Sequence, residues 1–309
     1  MKPSDRATPA VAIGFALILG GGMSHAGQAL AQRGGSAGAI PGVAYTIHVV
    51  SQPRSGAGLA GVAAEAAQSY VGHAVFAANR GRLDIVDGAA EPTLGVGDYI
   101  LFDTTALVVV HPRTREFTIV RRDSSLTDLD RLNALGVTVT LSDVKVQLDS
   151  LGPSDTIASF PTLHYRMTTA FNMSVEAATM VQRMGTEAVT DYWVAVVPGL
   201  PNNPLLRANG VPGGAGMAGL FRELERRVDS ASARMGKAVT LRSKTVSRLI
   251  EGPGSSATVE QTSEVSDVVR RLVDEDLLIL PADYKYRSPS GAAADTLLDA
   301  GAKWRRPPA

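Results

Sequence analysis

Apolar and polar residues alternate along most of this chain with the period of half-buried β-strands. Residues 43–50 (VAYTIHVV) predict the first strand. Residues 51–69 are small and polar and read as a loop with a short helix near 62–69. A run of hairpins follows. HAVFAAN (73–79) and RLDIVD (82–87) flank Asn79-Arg80-Gly81, with glycine expected at the left-handed position. DYILFD (98–103) and ALVVVH (106–111) flank Thr104-Thr105, and REFTIVRR (115–122) follows a turn opened by Pro112. Leu126, Leu129, Leu132 and Leu135 predict a short helix over 124–136.

VTVTLSDVKVQL (137–148) alternates, then shifts phase by one residue, which places a bulge or tight turn near Ser142-Asp143. In PTLHYRMTTAFNM (161–173), Leu163, Tyr165, Met167, Phe171 and Met173 share a packed face; Thr162, His164, Arg166 and Thr168 share a wet one. EAVTDYWVAVV (187–197) predicts a central strand. Residues 198–216 form a Pro/Gly loop, and a helix is expected over 217–235. Met217, Leu220, Phe221, Leu224, Val228, Ala231 and Met235 form its apolar stripe, with Gly236 at the C-terminal cap. Strands over 238–250 and 256–266, a short helix over 267–276 and a closing segment over 277–287 complete the domain.

The first 31 residues read differently. Lys2 and Arg6 precede an apolar stretch, Ala10–Met23, too short for a comfortable membrane span. Ala29-Leu30-Ala31 offers a small-x-small cleavage site; a second candidate ends at Ala26. The reading is a signal peptide (1–31), a Gly/Ala linker (32–42), one β-rich domain (43–287) and a disordered tail (288–309). Cleavage near Ala31 would leave a periplasmic protein with 28 basic and 29 acidic residues. No later segment is apolar enough to span a bilayer, and a single monomeric domain is expected.

Composition narrows the function. Hydrophobic residues make up 45%, enough for a core, but aromatics only 5%, so Val, Leu, Ile, Met and Ala must fill it. The net charge is +0, with no basic footprint for nucleic acid. The absence of cysteine excludes disulfides, thiolate metal sites, thiol nucleophiles and a lipid-attachment cysteine.

Candidate chemistry is sparse. Gly-x-Gly-x-x-Gly occurs at Gly56–Gly61 and at Gly214–Gly219, but neither copy sits between a strand end and a helix in a strand–helix–strand series. The first keeps a nucleotide-dependent enzyme open as a remote alternative. His48, His73, His111 and His164 are not at metal-ligand spacing, although His48 and His164 have the parity to meet across strands. There is no Gly-x-Ser-x-Gly; Ser154-Asp155 and Ser266-Asp267 read as turn or cap residues. Asn172-Met173-Ser174 fits a glycosylation sequon within a strand. Leu163, Tyr165, Met167, Phe171, Trp193, Phe221 and Leu224 are the candidate lining of an apolar cavity, and an ordinary core is the plainer reading of the same positions. No catalytic residue, metal or cofactor is expected.

Four segments in order, GDYILFDTTALVVVHPRTREFTIV (97–120), SDTIASFPTLHYRMTT (154–169), TDYWVAV (190–196) and LPADYK (280–285), resemble exported bacterial proteins of the DUF4412-like group, which are similar to LolA/LppX-like lipoprotein carriers. The resemblance implies an α+β fold: a strongly curved antiparallel half-barrel of roughly ten strands with one long amphipathic helix on its concave face. It also implies a non-enzymatic envelope protein that binds an apolar or lipid-like ligand, or a lipoprotein's acyl chains, under a lid at 217–235. The alternative is a structural or protein-interaction domain with a filled core.

Overall fold

The computed structural model describes residues 38–55, 69–91, 94–104, 106–121, 137–177, 180–201, 203–206, 222–251 and 256–287. The strands are β1 (Ala39–Ser55), β2 (Tyr70–Ala77), β3 (Arg80–Glu91), β4 (Leu94–Gly95), β5 (Tyr99–Asp103), β6 (Ala106–His111) and β7 (Glu116–Arg121), then β8 (Val137–Ile157), β9 (Phe160–Ala177), β10 (Met180–Ala195), β11 (Val239–Ile250), β12 (Ser256–Asp274) and β13 (Lys285–Tyr286). Among the described residues there is one α-helix, α1, spanning Arg222–Ser232. The strands form one curved, unclosed sheet in the order β13-β7-β6-β5-β3-β2-β1-β12-β11-β10-β9-β8, with β4 paired to β3 off that path. Two antiparallel meanders therefore meet at the β1–β12 seam. Among the described residues only the two-residue pairing of β13 with β7 is parallel.

The expected hairpin over 98–111 forms, with β5 paired antiparallel to β6. The phase shift in 137–148 is a bulge between Ser142 and Lys145, with Asp143 at φ 55°. Elsewhere local signals mislead. The first hairpin turns at Ala78-Asn79 (φ 49° and 65°), not at Gly81, which lies in β3 facing Phe102. β8 continues past 148 through Gly152-Pro153, absorbing them in two further bulges, and turns at Ala158-Ser159 (φ 48° and 69°). Ser154 and Asp155 are thus strand residues. Residues 39–42 of the expected linker already belong to β1.

Non-glycine residues at positive φ carry a steric cost, and type I′ turns favour Asn-Gly. Ala158→Asn combined with Ser159→Gly is expected to stabilise the fold by about 1 kcal/mol, read as a higher denaturant midpoint with unchanged slope.

The helix expected over 217–235 is shorter: α1 covers 222–232, a 3₁₀ turn covers 233–235, and residues 217–221 lie outside the described residues. Gly236 does cap this end, at φ 68°. The expected helix over 267–276 is strand to Asp274, because pairing with β1 overrides its helical apolar spacing; a 3₁₀ turn follows over 275–278. The segments 1–37 and 288–309, the expected helix over 124–136 and residues 62–68 of the expected helix over 62–69 lie outside the described residues. Among the described residues no helix is long and apolar enough to cross a membrane.

Both sheet edges are covered in part. At one end, the 285–287 segment runs along β7: Lys285 N–H donates to Arg115 O (2.8 Å) and Arg287 N–H to Phe117 O (2.8 Å). At the other, Arg227 Nη1 donates to Val144 O (2.8 Å) and Arg234 Nη1 to Leu148 O (3.0 Å). The arginines lie seven residues apart, two helical turns, and so reach carbonyls four residues apart on β8. Side-chain caps of this kind blunt an edge against foreign strands.

Candidate functional site

The β9–β10 pair carries most of the residues that the sequence singles out. Directly paired residues share a face, and neighbours along a strand alternate. The register pairs Tyr165 with Tyr192 and Met167 with Thr190 on one face. It pairs His164 with Trp193 and Arg166 with Asp191 on the other. Trp193 therefore stands on the face opposite Tyr165 and Met167 and does not line a common space with them.

On the first face, Leu148, Met167, Tyr192, Val194 and Met235 are buried together, with Tyr165, Val228 and Ala231 packed against them. The helix stripe thus lies directly on the strands. Met167 is 2% exposed. Burial pushes the Tyr192 phenol up to about 12, against the opposing pull of its hydrogen bond with Thr190. Leu224 and Phe171 are half-buried; Met173 joins a separate cluster with Val175 and Met184. Phe221 lies outside the described residues. Leu163 departs from the predicted packed face: it is 45% exposed, while Thr162, expected on the wet side, is buried and donates to Asp155 O (2.6 Å). The register shift between Pro153 and Thr156 on the partner strand lies beside this reversal.

The second face holds a polar network that no local motif announces. Asp191 pairs with His164 Nε2 (2.9 Å) and accepts from Arg166 Nε (2.9 Å) and Nη2 (3.1 Å). Burial alone would raise the Asp191 carboxyl, but the hydrogen bonds from Arg166 and then His164 hold it below the ordinary carboxylate range. The His164 ring stacks on Trp193 at 4.6 Å and 8°. Trp193 Nε1 donates to Ser154 Oγ (3.1 Å). On the next strand, Arg242 sits 5.6 Å from the indole centroid and donates to Glu264 (2.8 Å) and Asp155 (3.5 Å). Register extends the row to His48, opposite Glu264.

The charged groups of this row are paired among themselves. Asp191 already accepts from two basic side chains, so it is a weak proton acceptor. Trp193 has the His164 ring stacked on it and the Arg242 guanidinium 5.6 Å from its centroid. His48 and His164 share the row but do not meet, because β12, β11 and β10 separate them by about 19 Å at the usual strand spacing. Ser266, a strand residue in β12, lies 3.4 Å from His48 Nε2, but it donates its proton to Asp267 Oδ2 (2.8 Å) and is not activated. His111 pairs with Asp98 (3.2 Å). Among the described residues, no three His, Asp or Glu side chains are grouped to hold a metal ion.

Both glycine-rich matches, Gly56–Gly61 and Gly214–Gly219, lie outside the described residues. The cross-strand network was invisible in the sequence because its members are 25 and 27 residues apart, and only the register joins them. A signal did exist: the strict alternation of 161–173 against 187–197 limits the pairing to a few even shifts. The chain matches no protein-family model, no curated protein and no solved structure, and nothing in these comparisons or in the fold identifies the family that the four quoted segments resemble.

Proposed function

We propose that this chain is a non-enzymatic envelope domain that acts by protein contact, with a core filled by its own side chains. One observation carries the reading: Val228, Ala231 and Met235 occupy the space over Met167, Tyr192 and Val194, where a carrier would keep room for an acyl chain. The internally paired charges of the second face support binding by surface and not by reaction. The antiparallel sheet weighs against a nucleotide site built on strand–helix–strand units. Export to the periplasm rests on the basic and apolar pattern of residues 1–31.

A second reading, a carrier of an apolar or lipid-like ligand, draws on one observation. Leu163 is 45% exposed and Val196 69% exposed, beside the buried Val194. In that reading α1 must lift to admit the ligand. Titration with a fluorescent fatty acid separates the two. The protein-contact reading expects no saturable uptake; one equivalent bound, released by an added unlabelled fatty acid, contradicts it.

A further inference from the structure

β12 is longer than its neighbour. β11 pairs with it only from Ser256 to Glu264, and among the described residues 266–274 pair only with β1. The other edge of this stretch carries exposed side chains in succession: Asp267, Val269, Arg270, Arg271 and Leu272, with Val269 at 52% and Leu272 at 63% exposure. Among the described residues, no other edge segment of the sheet joins two exposed large apolar side chains to two adjacent cations in this way.

The charge pattern of the stretch reads the same from both ends: Asp267, two apolar residues, Arg270, Arg271, two apolar residues, Asp274. Consider a second copy adding antiparallel about the Arg270–Arg271 midpoint. Arg270 then faces Arg271 and Val269 faces Leu272, while the bulge at Asp267 (φ 53°) takes that end of the stretch out of regular register. Like charges directly opposite are destabilising in a sheet. The edge is therefore written against itself. A strand with an acidic pair at its centre, apolar residues on either side and basic ends is complementary in both directions. Arginines alone would suffice to blunt an edge; Val269 and Leu272, left open on opposite faces, supply the alternating apolar contacts an added strand uses.

We propose that the 266–274 edge of β12 binds an extended segment of a partner protein, centred on two consecutive acidic residues, by strand addition. This rests on the protein-contact reading. The probe is a labelled synthetic peptide, Lys-Thr-Val-Glu-Glu-Val-Thr-Lys, followed by fluorescence anisotropy with the full chain at low ionic strength. Its control is the charge-exchanged peptide, Glu-Thr-Val-Lys-Lys-Val-Thr-Glu. The acidic-centred peptide is expected to bind about tenfold more tightly than the control, and Arg270→Glu with Arg271→Glu is expected to reverse that order. Equal binding of the two peptides, or a preference that survives the double substitution, overturns the proposal. A second variant tests whether the edge is open. Arg270→Glu alone turns the central Arg–Arg pairs of the self-complex into Glu–Arg pairs, and is expected to give a sedimenting dimer where the wild type stays monomeric. Its remaining monomeric overturns the open edge. If peptide discrimination fails while fatty-acid uptake is also absent, the edge assignment falls and the protein-contact reading stands; stoichiometric fatty acid overturns that reading itself.

Discussion

Phe102→Ala is expected to destabilise the fold by about 3–5 kcal/mol, a large part of the total stability of an ordinary domain. Phe102 is fully buried and stacks on Phe76 with ring centroids 6.1 Å apart. The two rings come from strands that are not neighbours: Phe76 pairs with Gly81, and Gly81 with Phe102. The missing side chain at Gly81 lets the Phe102 ring lie over the intervening strand, and a Cβ there would fall within the ring itself. Gly81→Ala is therefore expected to cost about 1–3 kcal/mol by overpacking, although alanine is ordinarily the better strand residue. The two sites must couple. In a Phe102→Leu background Gly81→Ala should be nearly neutral, and a double-mutant cycle on denaturant midpoints reads that coupling. Additive costs would contradict the packing account.

Asn203→Ala is expected to cost about 2–4 kcal/mol, although it removes only a small side chain from a loop. Asn203 is fully buried; its Nδ2 donates to Tyr45 Oη (2.9 Å) and its Oδ1 accepts from Leu205 N–H (3.0 Å). It fastens the segment after β10 across β1, where Val197, Leu200 and Leu205 join the main core with Val43, Tyr45 and Ile47. Alanine leaves a buried phenol and a buried amide without these partners. Burial raises the Tyr45 phenol and the Asn203 hydrogen bond lowers it, so the same substitution moves its titration further up. Thermal unfolding checks the cost. Tyr45→Phe in the Asn203→Ala background is expected to restore part of the stability, since it removes one unpaired group.

These effects indicate which features were readable in the chain. Strands marked by a β-branched run between turns, such as 106–111, or by sustained alternation, such as 161–173, are placed to within a few residues, and the Ser142-Asp143 bulge follows from a phase shift alone. Boundaries failed where turn chemistry was absent or displaced. Residues 174–177 and 180–186 are strand, but the intervening sequence Ala178-Thr179 has no Gly, Pro, Asn or Asp to signal a hairpin. β8 passes through Gly152 and Pro153, which ordinarily end strands, because bulges absorb them. DVVRRLVD spaces its apolar residues as a helix does, and only the long-range partner β1 makes it a strand. The site was less legible than the fold. Met167 and Tyr165 belong to a packed face as expected, but Trp193 falls on the other face and Leu163 is exposed, because register and bulges decide faces and neither is a local property.

On the protein-contact reading, the interior beneath α1 is occupied by the chain itself. Native mass spectrometry of the protein purified from the envelope fraction, with extraction of whatever it carries, tests this most directly. The account predicts the bare chain mass and no co-purifying lipid. A stoichiometric fatty acid or phospholipid, released on denaturation, would contradict it and make α1 a lid.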